Sequence, residues 1–126
     1  MGFNWKDEWE NHSEEELKTL RKQKTSELLA NIQTGWYGSY YNIWYVIAEK
    51  ATAKEAVPTL LAALHQIEAD KAVYYDQLQA IHCLTAICKL LNIPEKEAHE
   101  YIYMPNKQQA AQFLQNLFQQ ILSHST

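Results

Sequence analysis

Between Thr52 and Asp70 the apolar residues Val57, Leu60, Leu61, Leu64 and Ile67 recur at i, i+3, i+4 and i+7, a spacing that places them on one face of a helix and nowhere else. Thr52 and Glu55 precede the stripe in the T-x-x-E order of a capping box, where each side chain satisfies a backbone N–H that the first helical turn leaves free. Pro58 falls in the early turns, where proline is best tolerated. The rest of the chain repeats this grammar. Ser13 and Glu16 form an S-x-x-E box that predicts a helix start. Gly35 is a stop, Asn92 a C-terminal cap and Pro94 an opener, and Asn106 with Gln109 starts the last helix. With three Gly and three Pro in 126 residues, little else can turn the chain. The expectation is about six helices joined by short connections, which make sequential helices antiparallel neighbours.

A second feature sets the functional question. Trp36, Tyr37, Tyr40, Tyr41, Trp44 and Tyr45 put six rings into ten residues. Read as one helix from Trp36 to Lys50, with Trp36, Tyr40 and Trp44 along one edge and Tyr37, Tyr41 and Tyr45 beside them, this segment asks for contacts well beyond the single stripe of a surface helix. It is predicted to be either a central helix or one that keeps a ring edge for a partner. In the long helix from about 73 to 91, Tyr74, Leu78, Ile81, Leu84, Thr85, Cys88 and Leu91 are expected inward; in the last helix, Phe113, Leu114, Leu117, Phe118 and Ile121. Residues 1–12 read as an N-terminal arm bearing Phe3, Trp5 and Trp9, and 13–126 as one helical domain.

The segment from Tyr40 to Lys50, followed by Ala56-Val57-Pro58-Thr59-Leu60-Leu61-Ala62-Ala63-Leu64, resembles a HEAT-like repeat, best over residues 36–69. An offset of forty residues aligns Ile43 with Cys83, Trp44 with Leu84, Ile47 with Ile87 and Glu55 with Glu95, a period in the range of paired-helix repeats. The family's Gly-Asp link is replaced here by Ala51-Thr52-Ala53-Lys54. The resemblance implies an all-α chain of antiparallel helix pairs stacked as a short HEAT/armadillo-like α-solenoid. It also implies a protein-binding role, since its motif specifies packing and not chemistry. Some small members of that family are bilin lyases or chaperones for phycobiliproteins, which gives an alternative.

Candidate chemistry is thin. His65 with Glu68, and Glu95 with His99, share helical faces, but no HExxH or third ligand accompanies them. Ser39 after Gly38 is not a nucleophile elbow. The three glycines form no phosphate loop, and Cys83 and Cys88, about 140° apart on a helix, read as reduced core thiols. No catalytic, cofactor-binding or metal residues are therefore expected. The net charge of −4 disfavours nucleic acid, even with Lys18, Arg21, Lys22 and Lys24 near the rings. No apolar run approaches membrane-spanning length, and neither a signal peptide nor a myristoylation motif is seen, so a cytoplasmic protein is expected. The expected function is non-catalytic binding of another protein, anchored by Trp36, Tyr37, Tyr40, Tyr41 and Tyr45. A sharper form is an immunity protein that neutralises a basic nuclease toxin through Glu14, Glu15 and Glu16 and the acids at 95, 97 and 100.

Overall fold

The computed structural model describes residues 5–37, 41–69 and 74–124, and within them every side chain except those of residues 5–12, 68–69, 74–77 and 124. The described residues are all-helical: α1 (Trp5–Lys22), α2 (Thr25–Gln33), α3 (Asn42–Lys50), α4 (Ala53–Ala69), α5 (Tyr74–Leu90), α6 (Glu95–Ile102) and α7 (Lys107–His124). The described residues hold seven helices, not six, because the first predicted helix is two. It breaks at Lys24, whose extended backbone (φ −70°, ψ 150°) ends α1. The Glu27 carboxylate then accepts the Lys24 N–H at 3.2 Å and starts α2. The break resets the helical phase, so that Leu20 on α1 and Leu28, Leu29 and Ile32 on α2 are all buried. Ser13 accordingly lies inside α1 and is not its cap. Its backbone carbonyl and hydroxyl instead accept from the Asn42 side-chain amide, at 2.8 and 3.0 Å.

The aromatic segment is shorter as a helix than its periodicity suggests. Gly35, at φ 87°, closes α2 with two bonds: Trp36 N–H to Asn31 O and Gly35 N–H to Ile32 O, both 3.0 Å. This is the Schellman pattern, which reverses the chain and turns Trp36 out of any following helix. Tyr41 then takes φ 65° immediately before α3, a left-handed conformation that a helix interior does not contain. Trp36 and Tyr37 therefore precede α3 and do not share its face with Trp44; Tyr40, Gly38 and Ser39 lie outside the described residues. α5 ends by the same device as α2. Asn92 sits at φ 58°, with Ile93 N–H on Cys88 O at 3.0 Å and Asn92 N–H on Lys89 O at 3.1 Å.

The local start signals on α4 and α7 act as the sequence predicts. Thr52 Oγ1 accepts the Glu55 N–H at 3.2 Å and Asn106 Oδ1 accepts the Gln109 N–H at 3.1 Å. The α4 stripe Val57, Leu60, Leu61, Leu64 and Ile67 is buried throughout. Pro58 lies one turn deeper than an N-terminal proline, so Lys54 O forgoes its usual i+4 partner.

The helix with neighbours on several sides is α5, which packs against α3, α4, α6 and α7. Its antiparallel companion is α4, to which it is tied by the Cys83 thiol donating to Leu60 O at 3.2 Å. α1, α3 and α5 run side by side in one direction. Asn42 meets Ser13 at one end of the α1–α3 pair and Glu49 meets Arg21 at the other; on the α3–α5 pair Tyr41 lies against His82 and Tyr45 against Lys89. α2 and α7 also pack against α4. The end of α1 is held by α3: Lys50 Nζ donates to Arg21 O at 3.0 Å and to Gln23 O, capping carbonyls that have no helical partner. Of the α7 residues expected inward, Leu114 and Phe118 are buried and Leu117 is half-buried, whereas Phe113 and Ile121 are exposed; Ala110 and Ala111 are buried as well.

Candidate functional site

Trp44 is fully buried, and its indole N–H donates to Gln79 Oε1 at 2.7 Å. Gln79 is equally enclosed, and its amide nitrogen has no partner among the described residues. Truncating a buried Trp of this kind costs about 3–5 kcal/mol. The tryptophan at the heart of the ring cluster is thus a structural rivet between α3 and α5. Tyr37, half-buried, lies over it with ring centres 5.1 Å apart.

Next to this rivet the aromatic edge is closed by a histidine from α5. The Tyr41 ring stacks on His82 at 4.4 Å and 19°. Tyr45 meets the same imidazole edge-on and its hydroxyl lies 2.7 Å from His82 Nδ1. Burial, and then the nearby Tyr103 phenol, push the Tyr45 hydroxyl upward in pKa. It remains the donor, which leaves Nδ1 as acceptor and the proton on Nε2. Burial holds His82 below the usual histidine range, consistent with a neutral ring. On its other side Tyr45 carries the Lys89 ammonium, 5.0 Å from the ring centre. Lys89 also helps hold Glu49 low, although the main cause is the Arg21 guanidinium, which grips both Glu49 oxygens at 2.8 and 3.1 Å.

Lys89 and Tyr103 lead from this cluster into a cleft of about 430 Å³ between the end of α5 and α6. Cys88, Ala98 and Ile102 form a buried apolar floor. Glu95 and His99, one helical turn apart, project from α6, and Tyr103 stands at the rim, 61% exposed. The His99 and Tyr103 rings are 5.2 Å apart and inclined by 36°. Open clefts of this volume suit a small ligand or one large side chain. The Cys88 thiol in the floor is pushed up to about 11 by burial, and Cys83 higher still, so neither is poised as a nucleophile. Among the described residues no three His, Cys, Asp or Glu side chains gather into a metal-holding group, and no helix is long and apolar enough to cross a membrane.

The sequence-derived anchors therefore separate. Trp36 is exposed by 48%. Tyr37, Tyr41 and Tyr45 are half-buried, with their faces taken by Trp44 and His82, and Tyr40 is not described. Glu14 and Glu15 are exposed on α1 and Glu16 is half-buried there; none of the three lines the cleft. Of the histidine pairs, Glu95 with His99 does line it, while His65 is exposed on α4 and the Glu68 side chain lies outside the described set. Sequence reasoning passed over His82, Lys89 and Tyr103. The first two each sit four places after a residue of the α5 stripe, Leu78 and Thr85, yet nothing local shows that α3 presents its tyrosines to them. No family model, curated protein or solved structure matches the chain.

Proposed function

We propose that this chain is a non-catalytic protein-binding module built on a HEAT-like helical scaffold. The observation that carries the reading is the α5–α6 cleft with the exposed ring of Tyr103 at its rim, beside Lys89 and the half-buried Tyr45. It has an apolar floor, a rim of the paired His99 and Tyr103 rings, and two charged side chains, Lys89 and Glu95. Rigid aromatic groups around a partly enclosed pocket are the usual make-up of binding hot spots. Chemistry would ask for an activated group, whereas burial holds both thiols in their neutral form. The scaffold reading draws on the side-by-side course of α1, α3 and α5 and on the contacts that α4 makes with α2, α5 and α7, as stacked helix repeats would make. It also draws on the burial of all six residues matched at the forty-residue offset on α3 and α5. The pairing runs one helix later than the repeat resemblance suggests, α4 with α5.

The immunity-protein form of the reading draws on exposed Glu14, Glu15, Glu95, Glu97 and Glu100, which would speed encounter with a basic partner. Affinity capture from the native host, comparing the natural chain with Tyr103→Ala, tests the reading. One partner should be retained by the natural chain and lost with the variant, the truncation costing about 2 kcal/mol of binding. Equal recovery of every protein by both chains would refute it.

A further inference from the structure

We infer that the α5–α6 cleft receives an arginine side chain presented by the partner. The inference rests on the protein-binding reading for the source of that arginine, and on the cleft alone for its chemistry. Two charges reach the cleft, and they are not equivalent. Lys89 is already engaged, its ammonium over the Tyr45 ring at 5.0 Å and its charge felt by Glu49. Glu95, in the first turn of α6, has no ion-pair partner among the described residues. An incoming anion would meet Glu95 directly, and Glu97 and Glu100 on the outer side of the same helix would repel it on approach. An incoming cation is attracted by all three, which outnumber the two cations near them, Lys89 in the cleft and Lys96 exposed on α6.

The shape then selects the cation. A compact ammonium uses a point charge, whereas a guanidinium is flat, weakly hydrated, stacks on aromatic faces and pairs with a carboxylate through two N–H groups. His99 and Tyr103 supply the rings and Glu95 the carboxylate, all from α6 or its end. The floor of Cys88, Ala98 and Ile102 accommodates the aliphatic stem, which for arginine is as much a part of recognition as the charge. A metal cation is the poorer fit, since the cleft offers one carboxylate, one imidazole and a protonated thiol.

The probe is Nα-acetyl-arginine methylamide, titrated into the full chain and followed by amide ¹H–¹⁵N spectra. The citrulline analogue, of the same shape but uncharged, and the lysine analogue serve as comparators. Arginine should give saturable shifts confined to residues 85–103, citrulline none at the same concentrations. Lysine should bind about fivefold more weakly, and Glu95→Gln should weaken arginine by about fivefold or more. Glu97→Gln, which changes the same net charge outside the cleft, should leave it nearly unaltered. Equal shifts with citrulline, indifference to Glu95→Gln, or shifts elsewhere on the chain would each overturn the assignment. The two claims fail separately. If a partner is captured and lost with Tyr103→Ala while arginine leaves the spectrum untouched, the arginine assignment falls and protein binding stands. If arginine binds as described and no partner is captured, the partner as source falls and the cleft chemistry stands.

Discussion

Tyr41 carries two opposed contributions in a single residue. Its left-handed backbone (φ 65°) costs about 1–2 kcal/mol for a residue with a side chain, while its ring is stacked on His82 at 4.4 Å, worth about 0.5–1.5 kcal/mol beyond the area buried. Tyr41→Ala keeps the backbone cost and loses the stack; Tyr41→Gly loses both. In urea unfolding Tyr41→Ala should be the less stable of the two variants by about 1 kcal/mol, with the transition still cooperative in each. A Gly variant below the Ala variant would show that the backbone conformation is not strained. His82 gives a second test. Burial lowers its pKa in the folded state, so the unfolded chain takes up a proton more readily. The resulting contribution to stability is complete above the ordinary histidine pKa. It diminishes as pH falls through that value toward the lowered folded one. Unfolding free energy should fall between about pH 7.5 and about pH 5.5, and His82→Gln should flatten that part of the profile. An unchanged slope in the variant would assign the dependence to other groups.

The helices show which parts of a sequence speak locally. Thr52, Asn106, Gly35 and Asn92 were legible because each acts on backbone groups within a few residues of itself, and all four sit where their chemistry requires. The α4 stripe was legible for the same reason, since one face of one helix fixes it. The aromatic segment was not. Its rings happen to recur at a helical spacing across a chain reversal, and periodicity cannot see that Gly35 has already turned Trp36 away. Phe113 and Ile121 were misplaced because the width of a buried face depends on how closely the neighbouring helix approaches. Gly35 is the sharpest element-level test. Its φ of 87° is unfavourable for any side chain, while a methyl group added there would meet nothing within 4 Å. Gly35→Ala should therefore destabilise by about 1 kcal/mol, from backbone conformation alone, as read by the shift in thermal midpoint at constant enthalpy. A neutral substitution would mean that the α2 stop is not set by that residue.

For the whole molecule, the decisive arrangement is one that no segment contains. Placing α5 among α3, α4, α6 and α7 closes the tyrosine edge with His82 and opens a cleft at the far end of the same helix. It converts most of the rings that looked like anchors into half-buried supports and transfers the exposed role to Tyr103 and Trp36. The Glu95–His99 spacing was visible in the chain, but its meaning came from α6 docking beside the end of α5. Hydrogen–deuterium exchange on the complex with the captured partner tests the binding account most directly. New protection should fall on residues 41–49 and 82–103, with α7 unchanged. Protection confined to the exposed Phe113 and Ile121 side of α7, or absent from the cleft, would contradict it.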